Sequence, residues 1–421
     1  MLPSASGRAT SPGALDGVVV IDFTQMLSGP FAAMMLADQG ARVIKVEPPG
    51  GDQTRKFGPF RDGQLTMADG GYGGYFASTN RNKDGICVDL KSPDGRRVIE
   101  SLVAKADIVI ENFRAGVMER LGLGYEALHA INPRLVYGAI RGFGDGRTGK
   151  SPYGDWPAYD VVAQAMGGIM GITSTEAGGQ PTKIGPGVGD IVPAMQCAFG
   201  LVAALYRARA TGEGQFVDVA MVDGVLALCE RIVFQHAIDG TVPAPEGNSH
   251  PLLCPYGLFP AKDGWVAIGC PHDEFWKLLA RCMGRADLAE DPRFLVTPDR
   301  LKRRAEVEGA VSAWTGAHTK AEIASVLGGK VPFGPVLRVD EIFADGHTAA
   351  RDMLATVDLP GVPDHPLVIA NTAVKMSSTP GGVHRRAPLV GEDTARVLAD
   401  FGYSATDIAA LTSSGGACRA R

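Results

Sequence analysis

Short apolar runs alternate with helix-like segments over the first half of the chain. Residues 18–23 form a largely apolar run, residues 31–38 have a helical pattern, and residues 42–47 form a second apolar run. Such runs are typical of strands buried on both faces of a parallel sheet. The alternation continues through predicted strands at 85–90, 107–110, 134–140 and 215–220. We therefore expect an α/β fold built on a Rossmann-like open, mostly parallel sheet.

The pattern changes after about residue 240. Residues 241–251 are rich in Pro, Gly, Asn and Ser, which predicts a mobile loop. The next segment, 256–331, has its own short strand and several amphipathic helices, as a smaller α+β domain would. A strand at 335–339 and a helix at 393–401 are expected to return to the first domain. The predicted organisation is a flexible tail, a large domain, a linker with a small domain, and a return to the large domain: residues 1–13, 14–225, 226–334 and 335–421.

Composition narrows the possible partners. The chain has 421 residues, a net charge of −5 and a pI near 5.9, which argues against a nucleic-acid-binding surface. Its seven cysteines are scattered without CxxC spacing, so we expect a reduced, cytoplasmic protein with no zinc or other metal site. The first 13 residues lack the apolar core of a signal peptide. The apolar run that begins at Ile191 contains glycine and glutamine, which favours a buried helix over a membrane span.

The first strand-to-helix connection, residues 24–30, has one glycine and no GxGxxG spacing. NAD binding is therefore not supported, although the fold resembles that of nucleotide-binding proteins.

Asp190 is the most informative side chain. It ends the glycine-rich segment 185–190 and directly precedes the apolar run 191–206. Asp is a favoured helix cap, and the positive end of a helix stabilises a carboxylate. Glycines on both sides would also leave the carboxylate open to a ligand. The residues alone allow two interpretations, a helix cap or a nucleophile.

Several segments, in this order, resemble the family III CoA transferases, the group of formyl-CoA transferase and the carnitine CoA transferase. The resemblance runs from Leu15 to about Leu411. No single motif is specific, but their order and spacing are. The segments are VIDF at 20–23, VIKVEPPGGD at 43–52, NRNK at 80–83, VDLK at 88–91, ENFRAGV at 111–117, TGEGQ at 211–215, MVDG at 221–224, GPV at 334–336 and APLVGE at 387–392.

The resemblance implies that Asp190 is a covalent nucleophile. In that family the matching aspartate attacks an acyl-CoA thioester and forms first a mixed anhydride and then an aspartyl-CoA thioester, from which CoA passes to an acceptor acid. It also implies an interlocked homodimer, acyl-CoA and a small carboxylic acid as substrates, and no permanently bound cofactor, since coenzyme A enters as the acyl-CoA substrate. Succinyl-CoA is a candidate donor; the sequence does not name the acceptor.

Twelve positions match CoA-contacting or site-lining residues of the family. Lys91, Arg114 and Arg120 have the chemistry that phosphates need, and their alternative interpretation is solvated surface charge. The chain departs from the family at two places: Leu27-Ser28 replaces a glutamine-alanine pair, and Pro48 replaces an arginine. The resemblance therefore does not decide the adenine and phosphate contacts of CoA at these positions. The implied contacts are Leu27, Ser28, Val88, Asp89, Leu90, Lys91, Asn112, Phe113, Arg114, Arg120, Tyr159 and Asp160.

The pair Tyr159-Asp160 bears on the reaction. The related α-methylacyl-CoA racemases have a histidine acid/base where this chain has Tyr159, and a phenol is a poor base at neutral pH. Transfer is therefore favoured over the alternative, an acyl-CoA racemase. A third interpretation, a non-catalytic CoA-binding protein, is disfavoured by Asp190 in its glycine-rich setting. Asp160 also has the alternative of capping its own helix. Asn248 and His250 occupy the family's shielding loop and are candidates for contacting the acceptor, with plain surface exposure as the alternative.

Overall fold

The computed structural model describes residues 13–418. The predicted tail therefore lies outside the described residues, apart from Gly13. The strands are β1 Val19–Asp22, β2 Arg42–Glu47, β3 Lys83–Val88, β4 Ile108–Glu111, β5 Val136–Arg141, β6 Phe216–Ala220, β7 Tyr256–Ala261, β8 Gly264–Gly269, β9 Phe333–Pro335, β10 Leu354–Val357, β11 Leu367–Ala370 and β12 Ala417–Cys418.

Eighteen α-helices lie between these strands in the described residues. They are α1 Ser28–Asp38, α2 Gly74–Asn80, α3 Pro93–Val103, α4 Val117–Arg120, α5 Tyr125–Ile131, α6 Asp160–Met166, α7 Val188–Thr211, α8 Met221–Leu228, α9 Glu230–Asp239, α10 Asp273–Cys282, α11 Ala286–Glu290, α12 Thr297–Lys302, α13 Arg304–Gly316, α14 Lys320–Leu327, α15 Val339–Ala344, α16 Gly346–Ala350, α17 Thr394–Asp400 and α18 Ala405–Ser413.

The chain divides into two compact units. The first contains the described residues through Ile169, then Gly185–Glu230, and the described residues from Gly346 onward. The second contains Met170–Ile184 and Arg231–Asp345. The sequence-based scheme changes domain after 225 and after 334 and has no counterpart to Met170–Ile184. That short segment pairs with its unit through the antiparallel bridge Ala177–Glu246, a contact between distant residues that hydrophobic periodicity does not reveal.

The described residues of the first unit form a mixed α/β fold around a seven-stranded sheet. Its strand order is β12-β3-β2-β1-β4-β5-β6, and every pairing is parallel except that of β12 with β3. β4 and β5 are buried along their whole length. This burial is the reason that these strands read as continuous apolar runs rather than as alternating ones.

The strand order places a crevice at the carboxyl ends of β1 and β4. The chain leaves β1 towards one edge of the sheet and β4 towards the other, so the connections after these neighbouring strands diverge. Ligands in open α/β sheets bind in the crevice at such a switch point. We therefore expect the segments that follow Asp22 and Glu111 to line a ligand site.

Buried ion pairs surround the ends of the first three strands. Lys83 Nζ lies 2.9 Å from Asp22 Oδ2, and Lys45 Nζ lies 3.1 Å from Asp52 Oδ2. Both lysines are fully buried, so each ammonium group depends on these carboxylates and on nearby carbonyl oxygens for its hydrogen bonds. These pairs fix the connections that leave β1 and β2.

The second unit has a three-stranded antiparallel sheet, β7-β8-β9, packed on a cluster that includes the fully buried Trp276. The strand expected at 335–339 is placed differently by the structure. β9 is Phe333–Pro335 and pairs with β8, and Val339 already begins α15. The apolar residues Val336 and Val339 suggested a buried strand, but they are 44% and 68% exposed.

Helix α7 is the longest helix among the described residues, with 24 residues, and it is apolar enough to pass a length-and-composition test for a membrane span. One face of it packs on β5, β6 and α1. Leu201 and Cys197 on that face are fully buried. This face packs as a core helix packs against a sheet.

Candidate active site

A cavity of about 430 Å³ lies in the first unit at the switch point of the sheet. The β1–α1 connection, the segment after β4, the carboxyl end of β5 and the start of α7 form its walls. Its lining residues are Gln25, Met26, Ser28, Asn112, Phe113, Arg114, Ala115, Val117, Arg120, Ile140, Arg141, Gly142, Gly154, Asp155, Trp156, Pro157, Ala158, Tyr159, Asp190 and Met221.

The β1–α1 connection and the segment after β4 are hydrogen-bonded to each other at the carboxyl ends of these strands. The Gln25 amide donates to Asn112 Oδ1 at 2.8 Å, and Asn112 Nδ2 donates back to the Gln25 carbonyl at 2.7 Å. Met26, which follows, has a φ of 65°, a left-handed conformation that costs energy for a residue with a side chain. The Asn112 side chain thus holds a strained wall segment in place, in addition to any contact with a ligand.

Asp190 is the third residue of α7 and lines the cavity. The N-cap is Gly187, which has no side chain, so the structure overturns the interpretation of Asp190 as the cap. Within the described residues no group donates a hydrogen bond to the Asp190 carboxylate. Its half-buried oxygens face the cavity without a structural role in the helix end.

Asp160 caps α7 from a neighbouring helix. Its Oδ1 accepts a hydrogen bond of 2.9 Å from the Gly189 amide, one of the amides that a helix start leaves without an internal partner. Asp160 is itself the first residue of α6, whose N-cap is Tyr159. The capping expected of Asp160 therefore acts on α7 and not on its own helix.

Gln164 holds the Asp160 carboxylate. Its Nε2 donates to Oδ1 at 2.9 Å and to Oδ2 at 3.0 Å, and Gln164 is fully buried one turn further along α6. Gly189 allows the two helices to meet, because a Cβ atom at that position would lie 2.6 Å from the Asp160 carbonyl oxygen. The glycine is thus required by close approach.

The two carboxylates interact electrostatically. A Cβ atom at Gly187 would lie 3.8 Å from Oδ1 of Asp160 and 3.8 Å from Oδ2 of Asp190, so both flank the same point of the backbone. Burial, and secondly the charge of Asp160, raise the pKa of Asp190 to about 7. Burial and then the charges of Asp190, Asp52 and Asp160 raise the pKa of the Tyr75 hydroxyl, which places that phenol near the same carboxylates.

Seven of the predicted residues line the cavity. Arg114 and Arg120 among them are exposed, and within the described residues neither forms an ion pair, so both guanidinium groups are available to an anion. The seven are Ser28, Asn112, Phe113, Arg114, Arg120, Tyr159 and Asp190.

The other predicted contacts lie outside the lining. Leu27 is the N-cap of α1 and comes within 3.1 Å of a Cβ position at Gly187. Val88 is fully buried, and the Asp89 amide donates to the Gly416 carbonyl beside β12. Leu90 packs against the core of the first unit, and Lys91 is exposed. These four residues at the end of β3 stay predicted contacts.

Asn248 and His250 line a separate cavity of about 450 Å³ within the second unit. Their backbone is paired with β7, since the His250 amide donates to the Tyr256 carbonyl and the Leu258 amide donates to the Asn248 carbonyl. Burial and the nearby Arg231 and Arg304 lower the pKa of His250. The structure thus brings these two residues together but leaves their role towards an acceptor as a prediction.

Trp156 and Arg141 are two of the lining residues that were not found from the sequence. Trp156 is 56% exposed, and its ring lies 4.7 Å from that of Tyr153. Arg141 is buried between Glu111, at 2.6 Å, and Asp145. Burial raises the pKa of Glu111 to about 7 against the opposing effect of Arg141. An exposed Trp in a segment rich in Pro and Gly was the available signal for Trp156, whereas nothing local marks Arg141.

The described residues contain no group of three or more His, Cys, Asp or Glu side chains placed to hold a metal ion. The lining of the cavity includes carboxylates, arginines and aromatic rings.

Comparisons with known proteins identify the family of the chain. Residues 15–394 match the model of CoA-transferase family III. The chain is 45% identical to the succinyl-CoA:mesaconate CoA-transferase of Haloarcula hispanica, over 93% of this chain and 97% of that protein. It is 36% identical to the succinyl-CoA–D-citramalate CoA-transferase of Chloroflexus aurantiacus, over 95% and 97%. A CAIB/BAIF family protein from Brucella suis has a similar crystal structure, with a TM-score of 0.80 and 33% identity over 93% of this chain and all of that one. The chain is a CoA transferase that belongs to CoA-transferase family III.

Proposed function

We propose that this enzyme transfers CoA from succinyl-CoA to a small dicarboxylic acid through covalent intermediates on Asp190. The observation that carries the proposal is the Asp190 carboxylate itself. It lines the cavity, and no described residue donates a hydrogen bond to it. A carboxylate without structural bonds, half-buried at a helix start, is suited to attack rather than to capping.

The reaction consists of four transfers that balance without a net proton. An Asp190 oxygen attacks the donor thioester carbon, the C–S bond breaks, and CoA leaves as thiolate from a mixed anhydride. The thiolate attacks the Asp190 carbonyl carbon and releases the donor acid, leaving an aspartyl-CoA thioester. The acceptor carboxylate attacks that thioester and again frees the thiolate. The thiolate finally attacks the acceptor's acyl carbon, which yields the new acyl-CoA and restores the Asp190 carboxylate.

The helix start supports this chemistry. Negative charge that develops on oxygens near Asp190 lies at the positive end of α7, a 24-residue helix. The raised pKa of Asp190 has the same physical origin as its reactivity, because a poorly solvated carboxylate gains more from forming a neutral anhydride than a hydrated one does.

The cavity walls fit a CoA thioester. Arg114 and Arg120 offer unpaired guanidinium groups to the phosphates of CoA, and guanidinium groups bind phosphate in a bidentate manner. Trp156 offers an exposed aromatic face in the same wall. The choice of succinyl-CoA and of a mesaconate-like acceptor rests on the activities named for the relatives.

We also propose a homodimer. Met195, Phe199, Val202 and Tyr206 recur at helical spacing on the face of α7 that points away from the sheet, and they are 46%, 77%, 38% and 81% exposed. A large apolar stripe on a soluble protein usually marks an interface. The interlocked arrangement of the family would cover it.

We further propose a Rossmann-like sheet, a discontinuous large domain and a cytoplasmic location. The order β3-β2-β1-β4-β5-β6 supports a Rossmann-like description of the sheet. A discontinuous large domain is supported by the return of the chain to the first unit at Gly346. A cytoplasmic location is supported by the five cysteines that are buried in core positions.

The test of the proposal is the covalent adduct. After incubation with succinyl-CoA, mass spectrometry of the peptide that contains Asp190 should find CoA attached to that residue. Asp190→Asn should lose the adduct and roughly 10³-fold or more of the transfer rate. The matched control is Asp223→Asn, since Asp223 is also the third residue of its helix, α8, but is exposed and outside the cavity lining. Retention of the original rate by Asp190→Asn would overturn the proposal.

A further inference from the structure

The attachment of α7 to α6 depends on a residue that never faces the substrate cavity. Gln164 is fully buried and is absent from the cavity lining. Its side-chain amide nevertheless contacts both oxygens of Asp160, at 2.9 and 3.0 Å. A single donor group shared by two oxygens fixes the plane of the carboxylate as well as its position.

The orientation of Asp160 determines where the first turn of α7 lies. The Gly189 amide has its hydrogen bond to Asp160 Oδ1, whereas the amides of Asp190 and Ile191 both donate to the carbonyl of Gly187. The N-cap, Gly187, has no side chain to offer. Asp160 therefore replaces the missing side-chain cap, and its bond is made one residue before Asp190.

We propose that Gln164 is a positioning residue for CoA transfer, which holds the Asp160 carboxylate so that Asp160 fixes the start of α7 and, with it, the Asp190 nucleophile. This inference rests on the proposed function of Asp190 and goes beyond it by naming a residue that acts through another. Without the Gln164 amide, the Asp160 carboxylate loses two hydrogen bonds, one to each oxygen, so the Gly189 bond and the negative charge beside Asp190 are held less firmly.

The inference separates the binding of acyl-CoA from the chemical step. Gln164→Leu removes the donor and keeps a buried side chain of similar size, so the cavity walls that contact CoA are unchanged. We expect kcat to fall about 10- to 100-fold, as small misplacements of a reacting group do, with little change in KM for acyl-CoA. The acidic limb of the pH–rate profile should also move to lower pH, because the charge that raises the pKa of Asp190 is no longer held beside it.

A matched control distinguishes positioning from stability. Gln64 is also buried, at 7% exposure, and its side-chain amide is also hydrogen-bonded, since Oε1 accepts from the Arg61 amide and Nε2 donates to the Tyr72 carbonyl. It does not line the cavity. Gln64→Leu should lower the melting temperature as Gln164→Leu does, but it should leave kcat and the pH profile as in the parent enzyme.

The decisive experiment is a double-mutant cycle on the rate at which the CoA adduct appears at Asp190 in a single turnover. If Gln164 acts through Asp160, then Asp160→Ala with Gln164→Leu should be no slower than Asp160→Ala alone. If the rate losses of the two single variants multiply in the double variant, or if Gln164→Leu reacts at the parent rate, the positioning role is overturned. Asp190 would remain the nucleophile in both cases. Absence of the adduct in the parent enzyme would overturn the proposed function and this inference together.

Discussion

Asp160 lies close enough to Asp190 for its negative charge to raise the pKa of the Asp190 carboxyl, and burial adds the larger part of the effect. The same Asp160 carboxylate accepts the Gly189 amide at the start of α7. The Asp160 side chain thus caps α7 at the Gly189 amide and also raises the pKa of the next residue, Asp190. The sequence shows two acidic residues directly before helix-like runs, and the structure shows that one of them caps the helix and the other lines the cavity.

The first prediction concerns the pH dependence of transfer. Only the ionised form of Asp190 attacks, so kcat/KM for acyl-CoA should fall as the pH decreases through about 7, the pKa of Asp190. Asp160→Asn removes a negative charge and should move this acidic limb to lower pH. Steady-state rates over a pH series measure both effects; a limb that stays in place in Asp160→Asn would contradict the electrostatic link.

The second prediction concerns stability. The pKa of Asp190 is raised from 3.8 to about 7 by folding, so the folded state binds its proton more tightly than the unfolded state does. The contribution of Asp190 to stability is therefore full below the unfolded value and is lost as the pH rises through about 7. Asp190→Asn, which cannot ionise, should melt at a higher temperature than the parent above that pH and show no such gain under acidic conditions. Thermal unfolding at both pH values, with Asp223→Asn as the control, measures this difference.

The third prediction concerns the two unpaired arginines in the cavity wall. Arg114→Ala and Arg120→Ala should each raise KM for acyl-CoA about 10-fold or more, with a smaller effect on kcat, because each removes a charged hydrogen bond to phosphate. Arg134→Ala, an exposed arginine outside this cavity, is the control. If both cavity variants bind acyl-CoA as the parent does, these residues are solvated surface charge.

The fourth prediction concerns Trp156. Its indole is exposed in the cavity wall, so binding of CoA should change its fluorescence. Of the four tryptophans in the chain, Trp276 is fully buried and serves as an internal reference. Trp156→Phe should abolish the change while retaining an aromatic wall; a signal that persists in this variant would locate the binding event elsewhere.

The fifth prediction concerns the apolar stripe on α7. Phe199→Asp places a charge in its centre and should convert the proposed dimer to monomer, as measured by light scattering coupled to size-exclusion chromatography. Ile131→Asp is the control, because Ile131 is the one large apolar side chain of α5 that is exposed, with 41% exposure. A parent enzyme that is already monomeric would contradict the dimer.

The parallel sheet and the position of Asp190 could be predicted from the sequence, because strands buried on both faces produce continuous apolar runs and because glycines around a carboxylate are local signals. The family resemblance located the cavity residues that follow β4. What could not be predicted depends on contacts between distant segments. The Gln164–Asp160–Gly189 connection joins two helices, and the Arg141–Glu111 pair joins two strands, so neither has a signature in the residues next to it.

The strand expected at 335–339 was predicted from local composition, but the structure does not contain it with those bounds. Val336, Leu337 and Val339 have the composition of a buried strand, yet they are 44%, 38% and 68% exposed and lead into α15. An apolar composition indicates that the side chains favour burial, but it does not show that other residues of the same chain bury them. In the second unit the sheet ends with β9 at Pro335, which lacks the amide that a further strand pairing would need.

The most direct test of the covalent role of Asp190 uses an acceptor acid labelled with ¹⁸O in its carboxylate. In the proposed reaction an acceptor oxygen bridges the second anhydride and stays on the enzyme when the thiolate attacks the acceptor's acyl carbon. After a single turnover with succinyl-CoA, the peptide that contains Asp190 should therefore carry one ¹⁸O atom, and the peptide that contains Asp223 should carry none. An unlabelled Asp190 after turnover would show that the acceptor attacks the donor directly, and it would contradict the account.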